Sequence, residues 1–210
     1  MLRRVVLSCL ALLALAFAAP SARAQNAVPA AAQFIDRLSQ TAIEGLTSNE
    51  IDHDERRERF RKIFTEAFDV ATIGRFALGS PWRTASEADR AEYLKAFEDY
   101  IVASYATRFA DYGGEKIVTV GSRRGDDNEA FVLSQFVRAQ GAPVRVAWRV
   151  RPNGDSWRII DVIIEDVSMA ITQRDDFSAT VQRNGGRLSA LIEALRGKTA
   201  APAPTAAGRS

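Results

Sequence analysis

The chain has 210 residues, with 28 Lys and Arg against 26 Asp and Glu, one histidine (His53) and one cysteine (Cys9). A single cysteine excludes an intramolecular disulfide and a thiolate metal site, and one histidine in a charged segment cannot assemble a zinc centre. A formal charge of +2 makes no electrostatic case for nucleic acid.

Residues 1–24 read as a secretory signal peptide. Arg3 and Arg4 form the charged start, Val5 to Ala19 an apolar run, and Ala22-Arg23-Ala24 the small-residue cleavage site. The run is too short to span a bilayer, which takes about twenty apolar residues. Cleavage removes Cys9 and three arginines, taking the 28 basic residues to 25 against 26 acidic ones, so the mature chain is formally −1. Residues 25–198 then form one domain without internal repeats. TAAPAPTAAGRS, residues 199–210, is an Ala/Pro tail too small and polar to pack, and is expected to be disordered.

Helical spacing of Phe34, Ile35, Leu38, Ala42 and Ile43 predicts a first helix, and Phe60, Ile63, Phe64 and Phe68 a second. The charge run Asp54 to Arg61 reads as the solvated face of the second. In DVATIGRFALGSPW, Asp69 caps a short helix that Gly79 and Pro81 end. Ser86 and Asp89 form a capping box for a long helix carrying Tyr93, Phe97, Tyr100, Ile101, Tyr105, Arg108 and Phe109, stopped at Gly113-Gly114.

The period then becomes alternating. EKIVTVGS, EAFVLSQFVRA, PVRVAWRVR and SWRIIDVIIED are four strands, the last two joined by a hairpin at Asn153-Gly154. In the third, Val144, Val146, Trp148 and Val150 share one face and Arg145, Arg149 and Arg151 the other, so one side of the sheet is buried and one wet. Ser168 starts a helix to about Asn184, Gly185-Gly186 breaks it, and RLSALIEALRG forms a last one. Helices, then strands, then helices predict an α+β fold with helices packed on an antiparallel sheet of about four strands.

The acids in WRIIDVIIEDVSM need a reason. Strict alternation puts Asp161 and Glu165 on one face with Trp157, Ile159 and Ile163, opposite Ile160, Val162 and Ile164. If the latter three are the core face, Asp161 pairs with Arg145, Arg149 or Arg151 of the neighbouring strand, and Asp166 enters the following helix. Gly-Gly pairs after helices are stops, and no phosphate loop is present.

Three stretches taken together carry a resemblance: FDVATIGRFALGSPWRTASEADRAEYLKAFEDYIVASYATRF, PVRVAWRVR, and WRIIDVIIEDVSMAITQRDDFSATVQRNGGRLSALIEAL. Their shared features are Phe68-Asp69, Leu78-Gly79 before Trp82, the Tyr93/Phe97/Tyr100/Tyr105 helix, and the block Trp157, Asp161, Val167-Ser168-Met169, Arg174, Phe177, Gly186 and Leu191. The chain resembles the MlaC or toluene-tolerance family of periplasmic phospholipid-binding proteins across nearly the whole mature domain. One departure is Asp166, where that family commonly has glycine.

The resemblance implies a cone-shaped fold like that of nuclear transport factors, with an apolar cavity between helices and a curved sheet. It also implies a periplasmic lipid carrier working between an outer-membrane lipoprotein-porin complex and the inner-membrane Mla ABC transporter complex. At about 0.8 kcal/mol per methylene, two tails exposed to water cost on the order of 20 kcal/mol, so such a carrier must enclose both.

Ile73, Phe76, Leu78, Tyr105, Phe109, Phe131, Phe136, Val146, Trp148 and Met169 are the candidates to line that cavity, and Arg75, Arg83, Arg108 and Arg174 to meet a phosphate at its mouth. No cofactor, metal or catalytic residue is expected. Aromatic residues at these spacings ordinarily make a filled core, and the resemblance alone implies a hollow one. Other readings are a hopanoid or other lipid carrier of the same family, an isomerase- or dehydratase-like enzyme with Asp161 or Asp99 as base, and a ligand-free interaction module.

Overall fold

The computed structural model describes residues 27–200. The expected signal peptide (1–24) and residues 201–210 of the expected tail lie outside the described residues.

Helix α1 spans Ala27–Leu46, α2 His53–Ala67, α3 Val70–Leu78, α4 Pro81–Thr84 and α5 Glu87–Ala106, with a 3₁₀ turn at Thr107–Phe109. Strands β1 (Lys116–Arg124), β2 (Ala130–Val137), β3 (Val144–Asn153), β4 (Ser156–Ile164) and the two-residue β5 (Val167–Ser168) follow, then α6 (Met169–Arg183) and α7 (Leu188–Ala200). The strands form one antiparallel meander in the order β1-β2-β3-β4-β5. This is the expected α+β architecture, with a fifth short strand. Helix α7 ends at Ala200, two residues beyond the expected domain end at 198.

The caps sit where the sequence puts them. Asp69 accepts the Thr72 N–H at 3.0 Å, Ser86 the Asp89 N–H at 3.1 Å, and Ser168 the Ile171 N–H at 3.1 Å. The charge run of α2 is less solvated than its composition suggests. Arg56 is buried and donates to the carbonyls of Leu46, Ser48 and Ile51, closing the α1–α2 loop. Arg61 reaches across to Glu98 and to Asp99 of α5.

Two turns correct the sequence reading. In the β3–β4 hairpin Asn153 still pairs with Ser156, so the loop residues are Gly154-Asp155 instead of Asn153-Gly154. Gly154 takes the positive φ (60°) at the first loop position, as a type II′ turn requires. Between β4 and β5, Glu165 and Asp166 both have positive φ (46° and 65°), a geometry in which glycine is comfortable and aspartate is tolerated. Asp166 is therefore a turn residue, not a helix-entry residue, and its carboxylate and that of Glu165 hold Arg145.

The apolar interior divides in two. One cluster is all helix: Leu78, Tyr93, Phe97, Phe177, Leu191 and Leu195, from α3, α5, α6 and α7. The other joins Ala31 and Ile35 of α1 to one sheet face through Ala130, Val132, Val150, Trp157 and Ile159.

That sheet face is not the one strict alternation predicts. Arg149 pairs with Asp161 but Val150 with Ile159, leaving Ile160 as a bulge. The bulge moves the pattern by one, so Trp157 and Ile159 before it share a face with Val162 and Ile164 after it.

Charged groups tie helices to the sheet from outside. Arg151 bonds Asp69 and Thr72, and Arg158 donates to the carbonyls of Thr65 and Phe68. Partial burial raises the Asp69 pKa, but hydrogen bonds from Thr72 and Arg151 outweigh it and hold the carboxyl below its usual range. Asp99 behaves likewise, with Arg61 and Lys95 outweighing burial.

A carboxyl depressed in the folded state adds stability above its unfolded pKa of about 3.9 and loses it as pH falls through the folded value. The urea midpoint should therefore fall as pH drops below about 4. Asp69→Asn should lower the midpoint at neutral pH and flatten that acid slope, as a titration of midpoint against pH will show.

Candidate functional site

Between the two clusters lies a cavity of about 450 Å³. Three layers wall it. Helix α2 contributes Phe60 and Phe64, followed by Phe68 and by Ile73 of α3. Phe97, Ile101 and Tyr105 of α5 continue the helical side, with Phe109 in the 3₁₀ turn. Phe136, Trp148, Val162 and Ile164 form the sheet side, and Met169, Ala170 and Gln173 of α6 close one edge.

The wall is stiff and aromatic. Phe60 lies 6.0 Å from Phe64 and 5.8 Å from Phe109, and Phe64 lies 4.9 Å from Phe68, centroid to centroid. The indole N–H of Trp148 donates to the buried Ser134 hydroxyl at 3.2 Å, which leaves the rest of the ring to the cavity as apolar surface. Burial raises the Tyr105 pKa, with Arg108 acting against it, so its hydroxyl stays protonated at neutral pH. The side-chain oxygen of Gln173 is the buried side-chain polar atom without a partner among the described residues.

Polar side chains gather at one end. Arg108 and Asp111 both line the cavity and are exposed, and Tyr112 and Glu115 sit beside them. The guanidinium of Arg108 stacks on Tyr105 at 4.9 Å, and the Tyr112 hydroxyl donates to the Glu115 carbonyl at 2.6 Å. Residues that both line a hollow and meet solvent mark its mouth. Ile164, 37% exposed, also lines the cavity and meets solvent.

Of the residues proposed from sequence, the structure brings Ile73, Tyr105, Phe109, Phe136, Trp148, Met169 and Arg108 to the cavity. It places the others elsewhere. Leu78 is buried in the helical core, because α3 turns that side toward Tyr93 and Phe97. Phe76 is on the outer surface, 40% exposed, with Arg174 stacked on its ring at 5.0 Å.

Phe131 alternates to the far side of the sheet, where Arg123 lies over it at 4.0 Å. Val146 stands opposite Ile164 in the β3–β4 register but outside the wall. Arg75, Arg83 and Arg174 are exposed and away from the cavity.

Asp161 borders the cavity but is not paired as expected. Arg149 sits opposite it and bonds Glu129 instead, at 2.6 Å. The Asp161 carboxylate accepts the Ser168 hydroxyl at 2.6 Å and the Ala170 N–H at 3.0 Å, so it fastens the start of α6 to β4. Asp99, the other candidate base, lies outside the wall, in the Arg61 and Lys95 pairs.

The main wall residues that sequence reasoning missed are Phe60, Phe64 and Phe68. Their four-residue spacing was the available signal, since it aligns them on one side of α2.

The profile of the MlaC protein family matches residues 33–197. The chain belongs to the MlaC family. Toluene tolerance protein ttg2D of Pseudomonas putida is 23% identical over 118 residues, 56% of this chain and 55% of that protein. The intermembrane phospholipid transport system binding protein MlaC of Haemophilus influenzae is 28% identical over 100 residues, 46% of this chain and 47% of that protein. The chain thus spans about half the length of the curated relatives it matches.

A phospholipid-binding protein from Ralstonia solanacearum, solved in complex with a phospholipid, shares this MlaC-type fold. Its TM-score is 0.72 at 17% identity, covering 81% of this chain and 97% of that one.

Among the described residues, no helix is long and apolar enough to cross a membrane and no group of three or more His, Cys, Asp or Glu is placed to hold a metal ion.

A wall residue already faces empty space on one side, so truncating it removes fewer contacts than truncation in a filled core. Phe177→Ala should cost about 3–5 kcal/mol and Phe136→Ala less than half of that in lipid-stripped protein. Urea unfolding of the two variants measures the difference.

Proposed function

We propose that this protein is a periplasmic phospholipid carrier that buries acyl chains in the cavity and leaves the headgroup at the Arg108–Glu115 mouth. The observation that carries the reading is the apolar hollow between two separately packed cores. The phospholipid seen with the Ralstonia protein and the transport role named for the Haemophilus relative support it.

The physical task favours this architecture. Acyl chains leaving a bilayer must exchange one apolar surrounding for another without meeting water, at about 0.8 kcal/mol per methylene if they do. A wall of Phe, Ile, Trp and Met offers such a surrounding, and the Trp148 N–H is already taken by Ser134.

Transfer between bilayer and cavity is then close to neutral. Docking partners set its direction. We propose that these are an outer-membrane lipoprotein-porin complex and the inner-membrane Mla ABC transporter complex, and that the protein shuttles lipid between them after export by the 1–24 signal peptide.

Protein purified from the periplasm should carry diacyl phospholipid, read by solvent extraction and mass spectrometry. Trp148→Glu places a charge against the tails and should cut the lipid recovered per protein at least about tenfold while far-ultraviolet circular dichroism stays unchanged. Lipid-free wild-type protein, or equal lipid in both, would refute the reading.

A further inference from the structure

The charged side chains on the cavity wall are few: Arg108, Asp111, Glu115 and Asp161. Asp161 is buried and engaged at the start of α6. The mouth therefore presents one cation and two carboxylates within the eight-residue segment from Arg108 to Glu115. The other arginines that the sequence offered for the headgroup, Arg75, Arg83 and Arg174, are exposed elsewhere.

From this charge pattern we infer that the mouth selects zwitterionic phospholipids, those carrying an ammonium group beside the phosphate, over anionic ones. The inference rests on the carrier reading and adds a headgroup class to it.

The chemistry follows from where the headgroup must sit. Tails held in the cavity bring the phosphate to its polar end, where Arg108 makes no ion pair among the described residues and offers a planar donor to phosphate oxygens. An ammonium group two carbons further out then meets Asp111, whose carboxylate makes no hydrogen bond among the described residues, and Glu115, which accepts the Gly113 N–H at 2.8 Å. An anionic headgroup with a neutral polyol gains the same Arg108 contact but has nothing to offer the two carboxylates. Its net negative charge is repelled by both.

Asp111 is exposed and Glu115 half-buried, so both interact with a headgroup partly through solvent. Each carboxylate–ammonium pair therefore shifts the balance by no more than an exposed ion pair does, about three- to fivefold together.

The test uses the full mature chain incubated with vesicles of equal phosphatidylethanolamine and phosphatidylglycerol bearing identical acyl chains. Protein is re-isolated and its lipid quantified by mass spectrometry. The expected result is an ethanolamine-to-glycerol ratio about three- to fivefold above that of the vesicles at low salt, shrinking at about 1 M salt, where the screening length is about 3 Å. Asp111→Asn combined with Glu115→Gln should return the ratio to that of the vesicles.

A wild-type ratio equal to the vesicle composition or enriched in phosphatidylglycerol overturns the inference, and so does an ethanolamine preference that the double variant keeps. Those outcomes leave the carrier reading standing. Uptake of neither lipid overturns the carrier reading, and the headgroup inference falls with it.

Discussion

A hollow apolar interior has to be held open against the force that folds proteins. Apolar side chains close on one another wherever the backbone lets them, and unfilled apolar space costs stability because the atoms that wall it lack contacts on one side. The fold meets this by packing two cores independently, one among helices and one between α1 and the sheet. What remains between them is space that an apolar guest can fill.

Polar links tie the elements around that space together from outside. Arg61 joins α2 to α5, Arg158 holds the end of α2 through the Thr65 and Phe68 carbonyls, Arg151 holds Asp69 at the start of α3, and Asp161 fastens α6. Each attaches near a wall element but keeps its charge away from the apolar surface or, for Asp161, satisfied at its edge. Asp161, the acid inside the apolar strand β4, is part of this scaffold. The Glu165-Asp166 turn then leads through β5 to Met169 on the cavity wall.

Much of the architecture was legible in the sequence because it depends on local signals. Period changes marked helices and strands, and Asp69, Ser86 and Ser168 marked helix starts that the hydrogen bonds bear out. The wall was legible only in part. Tyr105, Phe109 and Trp148 lie on elements whose inward side was evident, whereas Leu78, Phe76 and the choice between Phe131 and Phe136 on β2 required knowing which neighbour each element turns toward.

The bulge at Ile160 is the clearest case of a nonlocal cause. One extra residue defeats strict alternation, and nothing in SWRIIDVIIED distinguishes it from an unbroken strand. Arginines were the least legible, since a guanidinium on a long stem can reach a mouth, a ring or a distant carbonyl. Arg108, Arg174 and Arg56 do one each.

The account stands on acyl chains staying dry inside this protein. The most direct measurement loads it with a phospholipid spin-labelled at mid-chain and records the electron paramagnetic resonance spectrum with a water-soluble relaxing agent. An immobilised label that the agent does not broaden is the predicted result. A label as mobile and as accessible to the agent as in free solution would contradict the account.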